Sequence, residues 1–123
     1  IADLAAYYSQ LGMSASATVP DAPPAPPPKV AALLEKGGCV ACHGENFNKP
    51  IDPGYPKLAG QHSDYLYAAL KEYQTKNNVR IGRDNAVMVG MAAPFSHAEL
   101  KLLAKYIGSL PGDVKTVPES RFR

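Results

Sequence analysis

The sequence predicts an all-α domain gathered round a single chemical centre, and three observations carry that prediction. Apolar residues recur at spacings of three and four in residues 1–11, 29–37, 64–76 and 97–108, the period of one helix face. Residues 44–62 between them are rich in glycine, proline and asparagine and read as loop, with no strand feeding a helix near the cysteines. The third observation is Cys39-Val40-Ala41-Cys42-His43. Two cysteines three apart followed at once by histidine are what covalent haem attachment requires, since each sulfur adds to one porphyrin vinyl group and the adjacent imidazole falls under the iron. The centre is therefore expected to be one covalently bound haem c.

Other readings of the motif fit less well. A thioredoxin-like C-x-x-C calls for a βαβ setting. A structural zinc site needs four ligands, and beyond the motif only the distant His62 and His97 remain as histidines. The chain has 123 residues, 12 prolines, 2 cysteines and no tryptophan, which suits one small domain with appendages whose marginal core a haem would fill. Thirteen basic and eleven acidic residues are intermixed, for a net charge of +2, so no strong field points to nucleic acid. No apolar run approaches the roughly 20 residues of a membrane span.

In chain order, Ile1, Leu4, Ala5, Tyr8 and Leu11 share one helix face, and Gly12 is a stop signal. At a constant offset of 99, Ile1, Leu4, Ala5, Tyr7 and Leu11 fall on Leu100, Leu103, Ala104, Tyr106 and Leu110. A constant register favours repetition over two amphipathic helices alike by composition. Residues 1–12 are thus expected to be the last helix of a truncated upstream domain of the same kind. Its exposed apolar face would seek a surface, giving a dimer through residues 1–12 or packing back on the chain. Residues 13–28 are a proline-rich linker, and the nine residues Pro20 to Pro28 would span about 28 Å as polyproline II.

The main domain is expected over residues 29–112, with a loose tail at 113–123. Its first helix opens at Pro28 or Lys29, where proline loses no hydrogen bond, buries Val30, Ala31, Leu33 and Leu34, and ends at Gly37-Gly38. The motif then stands at that helix's C-terminus. In the following loop, a ligand histidine needs an acceptor for its other ring N–H; the Pro56 carbonyl is the candidate, with Leu58 packing on the ring. Ser63 is expected to cap a helix from Asp64 to about Lys76, closed by Asn77-Asn78. Residues 80–93 show no clear period. Ser96 with Glu99 forms a capping box and Phe95 with Leu100 a staple, so the last helix starts there and runs to Gly108, ahead of Pro111. Met88 and Met91 stand in the irregular stretch before it, where either could supply a soft thioether to the sixth iron position and the other fill core.

Cys39-x-x-Cys42-His43-Gly44, Tyr55-Pro-Lys-Leu-Ala-Gly-Gln-His62, Tyr65-Leu66 and Met88-Val-Gly-Met-Ala-Ala-Pro-Phe-Ser96 together resemble class I cytochromes c, in particular the C-terminal domain of the di-haem cytochrome c4 group. The resemblance covers about residues 29–110. It implies a class I cytochrome c fold, with three main helices around the haem and the first and last crossing. It also implies His43 as proximal ligand hydrogen bonded by Pro56, Met88 as the ligand methionine, and Met91 as a packing residue. The cofactor-binding residues expected are therefore Cys39, Cys42, His43, Pro56, Leu58 and Met88, with His43 and Met88 on the metal and no catalytic residues. Two features depart from the pattern: the Gly37-Gly38 doublet adds a residue before the motif, and the long linker suits a tethered domain better than two halves packed face to face.

The function this implies is one-electron transfer, not catalysis, within a di- or multi-haem respiratory carrier or as the haem domain of a larger oxidoreductase. Redox proteins are the expected partners, with a terminal oxidase or a quinol–cytochrome c reductase fitting the role. Lys49, Lys57, Arg80 and Arg83 are candidates to steer an acidic one. Covalent haem implies a periplasmic location, with membrane association through a parent protein. The competing reading is a haem enzyme or gas sensor with an open sixth position, for which His62 or His97 would have to serve as acid–base group.

Overall fold

Pro27, at φ −53° and ψ 146°, is in polyproline II conformation and delivers the chain into the first helix of the main domain. The computed structural model describes residues 1–10, 22–78 and 80–114, and among these the regular elements are all helices. In chain order they are α1 (Ala2–Gln10), α2 (Pro28–Gly37), α3 (Cys39–His43), α4 (Ser63–Gln74), α5 (Ala86–Ala92) and α6 (His97–Ser109). The three long helices of the main domain, α2, α4 and α6, are those the apolar periodicity marks. α6 packs against both α4 and α2, and α5 packs against α4.

The core is built on α6. Leu100, Leu103, Ala104, Tyr106 and Ile107 of this helix, with Leu110 beyond it, are buried together with Val30, Leu33 and Leu34 of α2, Leu66 of α4, and Phe47, Ala59 and Phe95 from the connections. Each such aliphatic side chain contributes about 2 kcal/mol of transfer free energy. Gly108 sets how closely α6 approaches the start of α4: a Cβ there would lie 2.7 Å from the Gln61 carbonyl oxygen and 3.2 Å from the Ser63 nitrogen. Lys36 at the end of α2 reaches the Pro94 carbonyl at 3.0 Å and stands 4.7 Å over the Phe95 ring, tying α2 to the entrance of α6.

Helix ends follow the sequence in part. The capping box is present: Ser96 Oγ accepts from the Glu99 amide, and Glu99 Oε2 accepts from the Ser96 amide at 2.7 Å. α4 begins one residue earlier than its sequence signal suggests. His62 is its N-cap without a side-chain bond, and Ser63 is already helical; Asp64 in the first turn accepts from the Tyr65 amide and places its charge at the positive end of the helix dipole. α4 ends at Gln74, with Thr75 extended as its C-cap. α5 lies where the sequence shows no period. Seven residues are too few to display one, and the helix is started by Asn85, whose side chain accepts from the Met88 amide.

α1 buries none of its residues; Ile1, Leu4, Tyr7 and Tyr8 are exposed, the two tyrosines edge to face at 5.3 Å. The expected stop at Gly12, the linker residues 13–21, and residues 115–123 of the expected tail lie outside the described residues. Asp113, which the sequence assigns to the tail, is held by the main domain: its amide donates to Asn48 Oδ1 at 2.8 Å, and its Oδ2 accepts from Asn48 Nδ2 at 3.2 Å and from Lys57 Nζ at 2.8 Å. No helix among the described residues is long and apolar enough to cross a membrane.

Candidate haem site

Gly38 builds the first wall of the site. In the left-handed region at φ 57°, it ends α2 with its own amide on the Glu35 and Leu34 carbonyls and at once serves as N-cap of α3, a backbone state that glycine adopts without strain. The motif is thus a helical turn of its own, not the end of α2. Cys39 and Cys42, three apart on that turn, project to the same side. Both cysteines are half-buried, and they are not joined in a disulfide. Burial, chiefly, pushes the Cys39 thiol up, the neighbouring Cys42 adds to this, and a backbone hydrogen bond opposes it.

His43 closes the turn and is only 7% exposed. Its Nδ1 lies 3.1 Å from the Pro56 carbonyl oxygen. With Nδ1 carrying the proton donated to Pro56, Nε2 keeps its lone pair for a metal, and the ring cannot turn without losing the bond. The Tyr55 ring, tilted by 51° with its centroid 6.4 Å away, stands beside the imidazole.

The loop that brings Pro56 to His43 is shaped by residues the motif does not announce. Phe47 is 1% exposed, has φ 54°, and offers one carbonyl oxygen to two amides, Leu58 at 2.8 Å and Ala59 at 3.0 Å. Asn46 Oδ1 accepts from the Asn48 and Lys49 amides, and the Ile51 amide donates to the Cys42 carbonyl. Leu58 itself is half-buried and packs on the hydrophobic core. The Asn48–Asp113–Lys57 cluster fastens this loop from outside. No sequence signal pointed to it, because its partners lie up to 65 residues apart.

Met88 and Met91 both belong to α5. Met88 is half-buried, whereas Met91, for which the resemblance implies packing, is 48% exposed. α4 grips the ends of this segment. Arg83 donates from Nε to Glu72 Oε2 at 2.8 Å and from its amide to the Glu72 carbonyl at 3.2 Å, with its guanidinium over the Tyr65 and Tyr73 rings. Glu72, then Tyr65, raise the guanidinium's already high pKa further. Gln74 Nε2 donates to the Ala92 carbonyl at 2.8 Å and the Phe95 carbonyl at 2.7 Å. Of the basic residues expected to steer a partner, Lys57 and Arg83 are engaged in ion pairs with Asp113 and Glu72, and Arg80 is exposed.

The residues present fit a covalently held haem: two cysteines on one helical turn, an imidazole oriented through Nδ1, and a thioether on a separate short helix. A family model described as cytochrome c matches residues 28–111. The thiosulfate dehydrogenase electron acceptor of Thiomonas intermedia (strain K12) is 38% identical over 94 residues, covering 76% of this chain and 41% of the relative. Cytochrome c4 of Thiocapsa roseopersicina is 34% identical over 90 residues, covering 73% and 43%. The crystal structure of reduced recombinant cytochrome c4 from Pseudomonas stutzeri is similar with a TM-score of 0.58 at 33% identity, over 72% of this chain and 47% of that one. The chain thus spans less than half the length of each of these relatives.

Proposed function

This chain belongs to the cytochrome c family, whose cofactor is haem c, and from that premise we propose that it is a one-electron carrier whose haem is held by Cys39 and Cys42 and ligated by His43 and Met88. The observation that carries the reading is the motif turn itself, with His43 locked by the Pro56 carbonyl at 3.1 Å. Bound haem supplies the chemistry of one-electron oxidation and reduction of its iron. The chain supplies the rest. Cys39 and Cys42 fix the macrocycle to α3, and His43 holds its proton at Nδ1 and presents Nε2. Met88 offers a neutral sulfur that favours the reduced metal. With His43 and Met88 both presented from short, anchored helices, a haem held by them would exchange an electron with little reorganisation of the chain, and no substrate pocket would be needed.

The carrier role makes the chain a non-enzymatic module that meets redox proteins through brief contacts of small area. Its similarity to an electron acceptor of thiosulfate dehydrogenase and to cytochromes c4 supports a donor or acceptor in a respiratory or sulfur-oxidising chain of a bacterial periplasm; a terminal oxidase or a quinol–cytochrome c reductase fits. Two observations support a parent with a second such domain. α1 keeps the register of α6 at an offset of 99, and the side chains whose counterparts are buried in α6 are exposed in α1. Residues 1–12 are then the last helix of that domain, 13–27 the connection, and the haem domain runs from Pro28, where α2 begins, through Asp113, with the residues after it as its tail. The open-site reading requires a distal acid–base group, and both remaining histidines sit exposed at helix starts, His62 before α4 and His97 opening α6.

Spectroelectrochemical titration of the haem-loaded protein tests the carrier role. A single reversible transition with one-electron slope, and a ferrous form that does not bind carbon monoxide, is the expected result. Rapid carbon monoxide binding, or peroxide turnover, would move the enzyme or sensor reading to the front.

A further inference from the structure

Gln74 is the last residue of α4, and its side chain leaves its own helix and bonds the backbone at the end of another. Nε2 has two hydrogens, and both are used, one on the Ala92 carbonyl at 2.8 Å and one on the Phe95 carbonyl at 2.7 Å. Because both partners are carbonyl oxygens, which only accept, the amide nitrogen must face them and the orientation of the group is chemically forced. Ala92 is the last residue of α5 and is buried; Phe95 is the buried residue two positions before α6. The last carbonyls of a helix have no partner within it; that of Ala92 takes the Phe95 amide at 3.2 Å, and the Gln74 amide adds a second bond there that ties the end of α5, and through Phe95 the approach to α6, to α4.

Met88 lies one turn before Ala92. A helix of seven residues is too short to hold its shape alone, so the position of Met88 depends on what fastens the ends. At the start, Asn85 Oδ1 accepts the Met88 amide at 3.1 Å, and Arg83 ties the preceding residues to Glu72. At the end, Gln74 is the side chain that bonds the terminal carbonyl. We propose that Gln74 is a positioning residue for the sixth ligand: by tying α5 to α4 through Ala92 and Phe95, it holds the Met88 sulfur in place against displacement by external ligands. The proposal rests on the assignment of Met88 as ligand.

The test is an imidazole titration of the ferric, haem-loaded full chain, followed by loss of the far-red sulfur-to-iron charge-transfer band. Gln74→Met keeps length and loses both donors; Gln74→Glu keeps shape and, when ionised, sets a carboxylate against two carbonyls. Both variants should still show the band without imidazole and should bind imidazole about tenfold more tightly, equal to about 1.4 kcal/mol. Val30→Ala, a core substitution in α2, separates positioning from general loosening: it should lower the melting temperature and leave imidazole affinity unchanged. Wild-type affinity in folded Gln74→Met and Gln74→Glu would overturn the proposal, as would an equal shift in Val30→Ala. If Met88→Ala retained the band, the ligand assignment and this proposal would fall together, whereas an unshifted Gln74 pair beside a Met88-dependent band removes only the proposal.

Discussion

At the scale of single residues, the site divides into what proximity along the chain announces and what only folding brings together. Cys39, Cys42 and His43 fall within five consecutive positions, so their chemistry is legible from spacing alone. The partner of His43, Pro56, lies 13 residues on; the residues point to it only because a ligand histidine needs an acceptor and a loop carbonyl is near. Phe47, Asn48 and Asp113 leave no trace in the sequence. A single buried asparagine has no periodicity, and its partner arrives from beyond the last helix. Asn48 is 3% exposed and exchanges two hydrogen bonds with Asp113. Asn48→Ala removes both hydrogen bonds to Asp113 and loosens the loop that carries Pro56, so it should cost about 1–3 kcal/mol. Denaturant unfolding should show this as a lower midpoint with an unchanged slope; a loss below about 0.5 kcal/mol, the level of an ordinary surface change, would mean that the cluster does not hold the loop.

At the scale of elements, α2, α4 and α6 are readable because each is long enough to show its apolar face, whereas α5 is not, and its cap, Asn85, has no capping-box partner to flag it. α3 escapes notice for a different reason: Gly38 reads as a stop and is also a start. The capping box of α6 makes a pH prediction. Hydrogen bonds from the Ser96 backbone first, then from its side chain, hold the Glu99 carboxyl below the usual carboxylate range. A carboxyl with a depressed folded-state pKa stabilises the fold above its unfolded value and loses that contribution as pH falls through the folded one. Wild type should therefore melt higher than Glu99→Gln at neutral pH, and the gap should close on acidification below about pH 4, where free glutamate protonates. A gap that stays constant from neutral to acid pH would show that the charge of Glu99 plays no part.

At the scale of the whole molecule, the fold is a set of short helices with a modest core, and a haem held at α3 would make that economy workable, as bound metals and cross-links do for other small domains. The all-α class is legible from four periodic stretches and the motif. How α5 is fastened to α4 is not, because Glu72 and Gln74 read in sequence as ordinary polar positions of a helix and Arg83 as a loop cation that could steer a partner. α1 adds the one architectural hint that reaches past the domain, since its register repeats α6 while its side chains remain exposed. The central claim, an electron carrier whose haem iron would be held by His43 and Met88, stands or falls on the methionine. The most direct measurement is the far-red spectrum of the ferric protein, made in a host that attaches haem c, with the variants Met88→Ala and Met91→Ala beside it. The expected result is a sulfur-to-iron charge-transfer band in wild type and Met91→Ala that is missing from Met88→Ala; a high-spin ferric spectrum without the band in wild type would contradict the account.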